Sequence, residues 1–210
     1  MHFAEVDAVT VDGYGTLLTL VGPVPALRRA LARHGVDRSE EEVAAAFASE
    51  AAHYRPRAHL GRDKPSLAAL RLECTGVFLG AVGAPLDPAD FVAEFVGALR
   101  FEPVPGAVGA LTDLRARGLE LAVVANWDCA LPQHLARLTL DRYFSAVVTS
   151  AEAGAPKPDP APFWLALERL GVEAARAVHV GDEQADELGA AAAGMRFVPA
   201  PLASAFEGWG

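Results

Sequence analysis

Short apolar runs alternate with helical stretches through the second half of the chain, and this alternation restricts the fold more than any other feature. Leu119-Glu120-Leu121-Ala122-Val123-Val124, Ala146-Val147-Val148-Thr149, Ala177-Val178-His179-Val180 and Arg196-Phe197-Val198 have the length and side chains of strands. Pro105 to Arg117, Leu131 to Leu138, Pro160 to Leu170 and Gln184 to Ala193 carry helical spacing, and Gly118 and Gly171 stop two of them. Strands alternating with helices in this way predict a parallel, doubly wound α/β sheet. Residues 6–12 form one more strand of the same character, near the N-terminus.

Between this first strand and the later alternation the pattern is helical throughout. Pro25 to His34 places Leu27, Ala30 and Leu31 on one face and stops at Gly35. Ser39-Glu40-Glu41-Glu42 is a capping-box start for a helix through about His53. Ser66 to Val82 is a third helix, and Asp87-Pro88-Ala89-Asp90 opens a fourth with Pro in its first turn. Residues 18–97 therefore read as a helical insertion after the first strand, with 1–17 and 98–210 forming the sheet domain. An insertion at this point is expected over the carboxyl end of the first strand. The tail from Pro199 to Gly210 is expected to be a surface segment.

Composition narrows the partners. With 52% apolar residues the chain can fill a core, and its net charge of −9 lacks the basic face that general nucleic-acid binding needs. Cys74 and Cys129 show no paired spacing, which points to reduced, buried thiols and not to a disulfide framework or zinc site. No uninterrupted run of 18 apolar residues suggests a membrane span. Glu5, Asp7 and Asp12 stand where a secretion signal would need its apolar stretch. The expectation is a soluble cytoplasmic protein, monomer or homodimer, with no nucleic-acid or membrane partner.

The first strand runs into Asp12-Gly13-Tyr14-Gly15-Thr16. Two glycines let the backbone turn sharply beside a ligand, and the carboxyl ends of parallel strands are where open α/β sheets bind ligands. Three other stretches also end or follow core strands: Ala125-Asn126-Trp127-Asp128; Gly154-Ala155-Pro156-Lys157-Pro158-Asp159-Pro160; and Gly181-Asp182 with Asp186 and Gly189-Ala190. The strand before Asp182 is expected next to the first one, and neighbouring strands lie about 4.8 Å apart, so Asp12 and Asp182 could share one cation. Asp186 would approach from the first turn of the next helix, directly or through water. Few carboxylates plus several waters suit Mg²⁺.

In this order, these four stretches resemble the motifs of the haloacid dehalogenase-like hydrolase superfamily, in its branch with a helical cap after strand one. The resemblance implies a Rossmann-like core plus cap and covalent aspartyl chemistry. It implies that Asp12 is the nucleophile and that Lys157 clamps the anionic charges. Thr16 would orient the loop, and Mg²⁺ would be held by Asp12, the backbone carbonyl of Tyr14, Asp182 and Asp186. Asn126 and nearby N–H groups would hold an oxyanion.

Two residues depart from the pattern. In family phosphatases the position of Tyr14 is an Asp that protonates the leaving oxygen and then activates water; a phenol with a reference pKa near 10 is a poor base at neutral pH. Ala125 stands where a Ser or Thr hydroxyl normally meets the phosphoryl group. An Asp-x-Tyr-Gly-Thr loop is instead similar to that of 2-haloacid dehalogenases, whose halide leaves without a proton. A neutral carbon electrophile needs no metal to offset repulsion, and the acidic constellation therefore favours phosphate. The expectation is a Mg²⁺-dependent phosphatase of a small phosphorylated or anionic metabolite, slowed at its second step. The alternatives are a metal-independent dehalogenase and a non-catalytic binding descendant. The basic loop from Ala52 to Lys64, with Arg55 and Arg57, is either an anionic-substrate contact or a solvated loop.

Overall fold

The computed structural model describes residues 2–209. In chain order the elements are β1 (Ala8–Val11), β2 (Leu18–Leu20), α1 (Pro23–Arg33), α2 (Glu40–Tyr54), α3 (Lys64–Val82), α4 (Pro88–Ala98), β3 (Phe101–Pro103), α5 (Ala107–Ala116), β4 (Glu120–Ala125), α6 (Leu131–Arg137), β5 (Ala146–Thr149), α7 (Ser150–Ala153), α8 (Ala161–Leu170), β6 (Ala177–Gly181), α9 (Gln184–Ala192) and β7 (Arg196–Pro199). The chain divides into two compact units, Met1–Thr19 with Glu102–Gly210, and Leu20–Phe101.

The first unit is built on a five-stranded sheet of order β5-β4-β1-β6-β7. Each neighbouring pair is parallel, with Val11 level with both Val123 and Val180. From β1 the chain first moves outward through β4 and β5, then returns to the other side through β6 and β7. The order thus reverses beside β1, and a crevice opens at such a point at the carboxyl ends of the strands. All four residues of β1 and all five of β6 are buried, as expected for a sheet with helices on both faces. One face packs Val124, Val148, Phe163, Ala166 and Ala190 into a continuous core.

The second unit is helical. Leu27, Leu31, Phe78, Phe91 and Phe95 form its core, and Phe78 stacks on Phe91 with ring centroids 6.3 Å apart. Ser39 and Glu42 close the capping box expected at the start of α2. Asp63 and Ser66 form another, which starts α3 two residues earlier than the apolar spacing indicates. By length and composition α3 could cross a membrane, but Leu67, Leu70, Phe78 and Leu79 are buried within its unit.

Three differences from the sequence reading have local causes. β2 and β3 are too short for a two-residue period to register, and they pair with each other where the chain passes between the units. The tail is more than a surface segment: Leu202 is buried, and Phe206 and Trp209 pack against Phe3. Neither Cys74 nor Cys129 is in a disulfide, and Cys129 is half-buried where the sequence predicts full burial.

Candidate active site

Asp12 follows β1 directly, and its backbone N–H donates to Val180 O at 2.9 Å, which ties the end of β1 to β6. Gly15 takes φ +92°, a conformation that L side chains rarely adopt. A Cβ built there would lie 2.2 Å from Asp182 Oδ2. Glycine is therefore what lets this turn and the carboxylate after β6 approach each other. Thr16, beyond the turn, donates its hydroxyl to Asp182 Oδ1 at 3.2 Å. Asp182 itself is exposed.

Lys157 comes from the Pro-rich loop between α7 and α8. Asn126, after β4, holds that loop through its side-chain amide: Oδ1 accepts from Lys157 N–H at 2.7 Å, and Nδ2 donates to Lys157 O at 3.1 Å. This amide serves the backbone of the lysine, a task that its place in the sequence motif does not reveal. The three Nζ protons are all used, on Asp12 Oδ1, on Val124 O at 2.9 Å and on Asp186 Oδ1 at 2.5 Å. Lys157 is 5% exposed, so the ammonium is fixed in direction as well as in charge.

Asp186 lies in the first turn of α9 and is 1% exposed. Its Oδ1 accepts from Lys157 and pairs with His179 Nε2 at 3.0 Å, and its Oδ2 accepts from Glu183 N–H at 3.0 Å. Glycine again makes room: a Cβ on Gly181 would lie 2.3 Å from Asp186 Cγ. One side-chain oxygen each from Asp12, Asp182 and Asp186 lies within 4.8 Å of the others. An all-oxygen set with one exposed carboxylate suits a hard cation that keeps part of its water shell, so these residues fit Mg²⁺.

Burial moves the protonation of this cluster. It raises the Asp12 carboxyl to about 6, against the pull of Lys157. Asp186 is held well below the usual carboxylate range by its hydrogen bond from His179 and by Lys157, although burial acts the other way. The two carboxylates raise Lys157 despite its desolvation. His179, enclosed on every side, drops to about 4 because burial penalises its cation.

Tyr14 is 42% exposed at the rim beside Asp12. Ala125, buried at the end of β4, leaves no hydroxyl where the motif expects one. Arg55 and Arg57 belong to the helical unit, on the turn Arg55–Leu60. There Arg57 donates to His53 O at 3.0 Å. The structure thus brings Asp12, Lys157, Asp182, Asp186, Thr16 and Asn126 into one network within the first unit. The sequence reading assigned no role to His179. Its signal was a single ionisable residue inside an otherwise apolar, buried strand.

The family model for haloacid dehalogenase-like hydrolases matches residues 6–194. The chain belongs to this family. It is 44% identical over 103 residues to haloacid dehalogenase-like hydrolase domain-containing protein 3 of Mus musculus, over 49% of this chain and 41% of that protein. It is 33% identical over 142 residues to a phosphoglycolate phosphatase of Caulobacter vibrioides, over 66% of this chain and 60% of that one. Among solved structures, the L-2-haloacid dehalogenase of Xanthobacter autotrophicus superposes with a TM-score of 0.68 at 26% identity, covering 96% of this chain and 82% of that one. The matched stretches span about two fifths of the length of the first of these curated relatives. The motif positions of this hydrolase thus meet at the carboxyl edge of its sheet, where the strand order reverses.

Proposed function

We propose that this hydrolase is a Mg²⁺-dependent phosphatase acting on a small phosphorylated metabolite through an aspartyl-phosphate. The observation that carries this reading is the packing of three carboxylates within 4.8 Å of one another, two of them bound by one buried ammonium. Attack by a carboxylate on a phosphate dianion requires charge compensation, whereas attack on a neutral carbon–halogen centre does not.

Asp12 attacks phosphorus with one carboxylate oxygen, and the leaving oxygen departs with the bonding pair. Water then attacks the phosphorus of this acyl phosphate and breaks its P–O bond to Asp12, which restores the carboxylate, releases inorganic phosphate and passes a proton to solvent. Lys157 holds the nucleophile in place and compensates charge. Asp12, the carbonyl of Tyr14, Asp182 and Asp186 would hold Mg²⁺, which when bound supplies further charge compensation at the phosphoryl oxygens. Thr16 keeps Asp182 turned toward Asp12. Tyr14 replaces the carboxyl group that would shuttle protons, so substrates with good leaving groups, such as acyl phosphates, are favoured and the second step is slow. Arg55 and Arg57 are the candidate contacts for the remainder of an anionic substrate.

The test is phosphate release from acetyl phosphate, p-nitrophenyl phosphate and a panel of phosphate esters, with Mg²⁺ and with EDTA. Turnover is expected with Mg²⁺ alone, and Asp12→Asn is expected to reduce it by at least about 10³-fold. Activity that survives Asp12→Asn overturns the reading.

Tyr14 and the likeness to a solved L-2-haloacid dehalogenase favour a second reading. In it Asp12 displaces halide from carbon and water hydrolyses the resulting ester. Chloride release from 2-chloropropionate in EDTA would support it; no release under those conditions would remove it.

A further inference from the structure

His179 lies on β6, level with Thr10 on β1. Both are fully buried, and the imidazole bridges Thr10 and Asp186: Nδ1 lies 2.8 Å from Thr10 Oγ1, and Nε2 lies 3.0 Å from Asp186 Oδ1. Phe163 meets the ring edge-on at 4.9 Å, and Phe197 flanks it at 6.4 Å. An ionised carboxylate can only accept, so the proton on this side belongs to Nε2. On the opposite side of the ring Nδ1 meets the Thr10 hydroxyl, so the imidazole is held at both nitrogens.

Asp186 Oδ1 then receives two donors, from Lys157 and His179, which use both of its lone pairs. Oδ2 receives one, from Glu183 N–H, and retains one. We infer that His179 is a positioning residue for Asp186: as an Nε2 donor held from behind by Thr10, it saturates Oδ1 and leaves Oδ2 as the oxygen with capacity for a cation or its water. The strap also connects the strand that carries Asp12 to the helix that carries Asp186, through side chains and not backbone.

This inference rests on the Mg²⁺ reading above, and its test separates the two. Mg²⁺ alone is titrated calorimetrically into the wild type, His179→Leu, His179→Gln and Thr10→Val, with no substrate present. His179→Leu removes the donor and is expected to lower Mg²⁺ affinity about 10–100-fold. His179→Gln restores an N–H near the Nε2 position and is expected to recover most of that loss. Thr10→Val, which conserves shape, is expected to weaken binding in the same direction but less. Independently, long-range ¹H–¹⁵N spectra of the histidine-labelled wild type are expected to show His179 with a proton on Nε2. A ring whose Nε2 carries no proton overturns the inference whatever the variants do, so it stays testable if His179→Leu fails to fold. Equal Mg²⁺ affinity in folded His179→Leu and the wild type also overturns it, leaving the phosphatase reading intact. No Mg²⁺ binding by the wild type overturns both.

Discussion

Lys157 and Asp12, separated by 145 positions in sequence, meet at the carboxyl edge of the sheet with the ammonium donating to the carboxylate. The lysine is held from behind by Val124 O and from the side by Asp186, so its charge cannot move away when a ligand arrives. Such a fixed ammonium costs nothing to reorganise during reaction, which is the property that makes preorganised charges effective.

Replacing this lysine tests the electrostatics directly. Lys157→Met keeps the stem but leaves two buried carboxylates without their partner. A loss of about 3–5 kcal/mol in urea unfolding is expected, together with loss of phosphate release. A stability change within about 0.5 kcal/mol would show that the ammonium is not needed to keep the carboxylates buried.

Gly15 provides a steric test. Gly15→Ala puts a Cβ 2.2 Å from Asp182 Oδ2 at φ +92°, and the backbone strain alone costs about 1–3 kcal/mol. Asp182 must swing away, so Mg²⁺ affinity measured by calorimetry is expected to fall by at least about tenfold. Unchanged affinity in a folded variant would take Asp182 out of the cation site.

Tyr14 tests the missing proton carrier. Tyr14→Asp supplies a carboxyl group at the rim, where the side chain is already accessible. Steady-state turnover of alkyl phosphates is expected to rise about 10²-fold, and that of acetyl phosphate by less, because its leaving group needs no proton. An unchanged or lower rate on alkyl phosphates argues against the missing acid and base as the cause of slow turnover.

In the helical unit, Glu50 on α2 is 5% exposed. Burial raises its carboxyl to about 7, against a hydrogen bond from Cys74, and the same burial raises the Cys74 thiol to about 12. A folded-state value above the unfolded 4.5 means that the fold prefers the protonated acid. Its contribution is fully present below pH 4.5 and is lost as pH rises through 7. Glu50→Gln keeps a neutral group of similar shape. Relative to the wild type it is expected to gain up to about 3 kcal/mol between pH 5 and pH 8 in denaturant unfolding. Parallel pH profiles for the two proteins would show that Glu50 is ionised in the fold.

Sequence patterns carried most of the architecture because each signal is local. Alternation of apolar runs with helical spacing specifies a parallel sheet whichever strands become neighbours, and Ser39 with Glu42 marks a helix start within four residues. Asp12, Lys157 and Asp182 sit at strand ends or in a loop and Asp186 in the first turn of α9; they stand out in the sequence because their stretches follow core strands and resemble the motifs of one family. Asp63 and Ser66 carry a second local signal of the same kind, one that apolar spacing alone passes over. Their reciprocal hydrogen bonds, and not the apolar spacing, decide where α3 begins.

By itself, the amino-acid order determined that this chain would make a doubly wound sheet interrupted by helices, with acidic and basic groups at the ends of its strands. What only the tertiary structure decided is which of those groups touch. The order β5-β4-β1-β6-β7 sets β1 between β4 and β6, and that placement makes His179 a neighbour of Thr10 and Lys157 a partner of two carboxylates at once. It also directs the Asn126 amide to the lysine backbone. Hydrogen-bond partners far apart in sequence depend on strand order and register, which no local pattern encodes, and a buried carboxylate's proton affinity depends on the partners that the fold supplies.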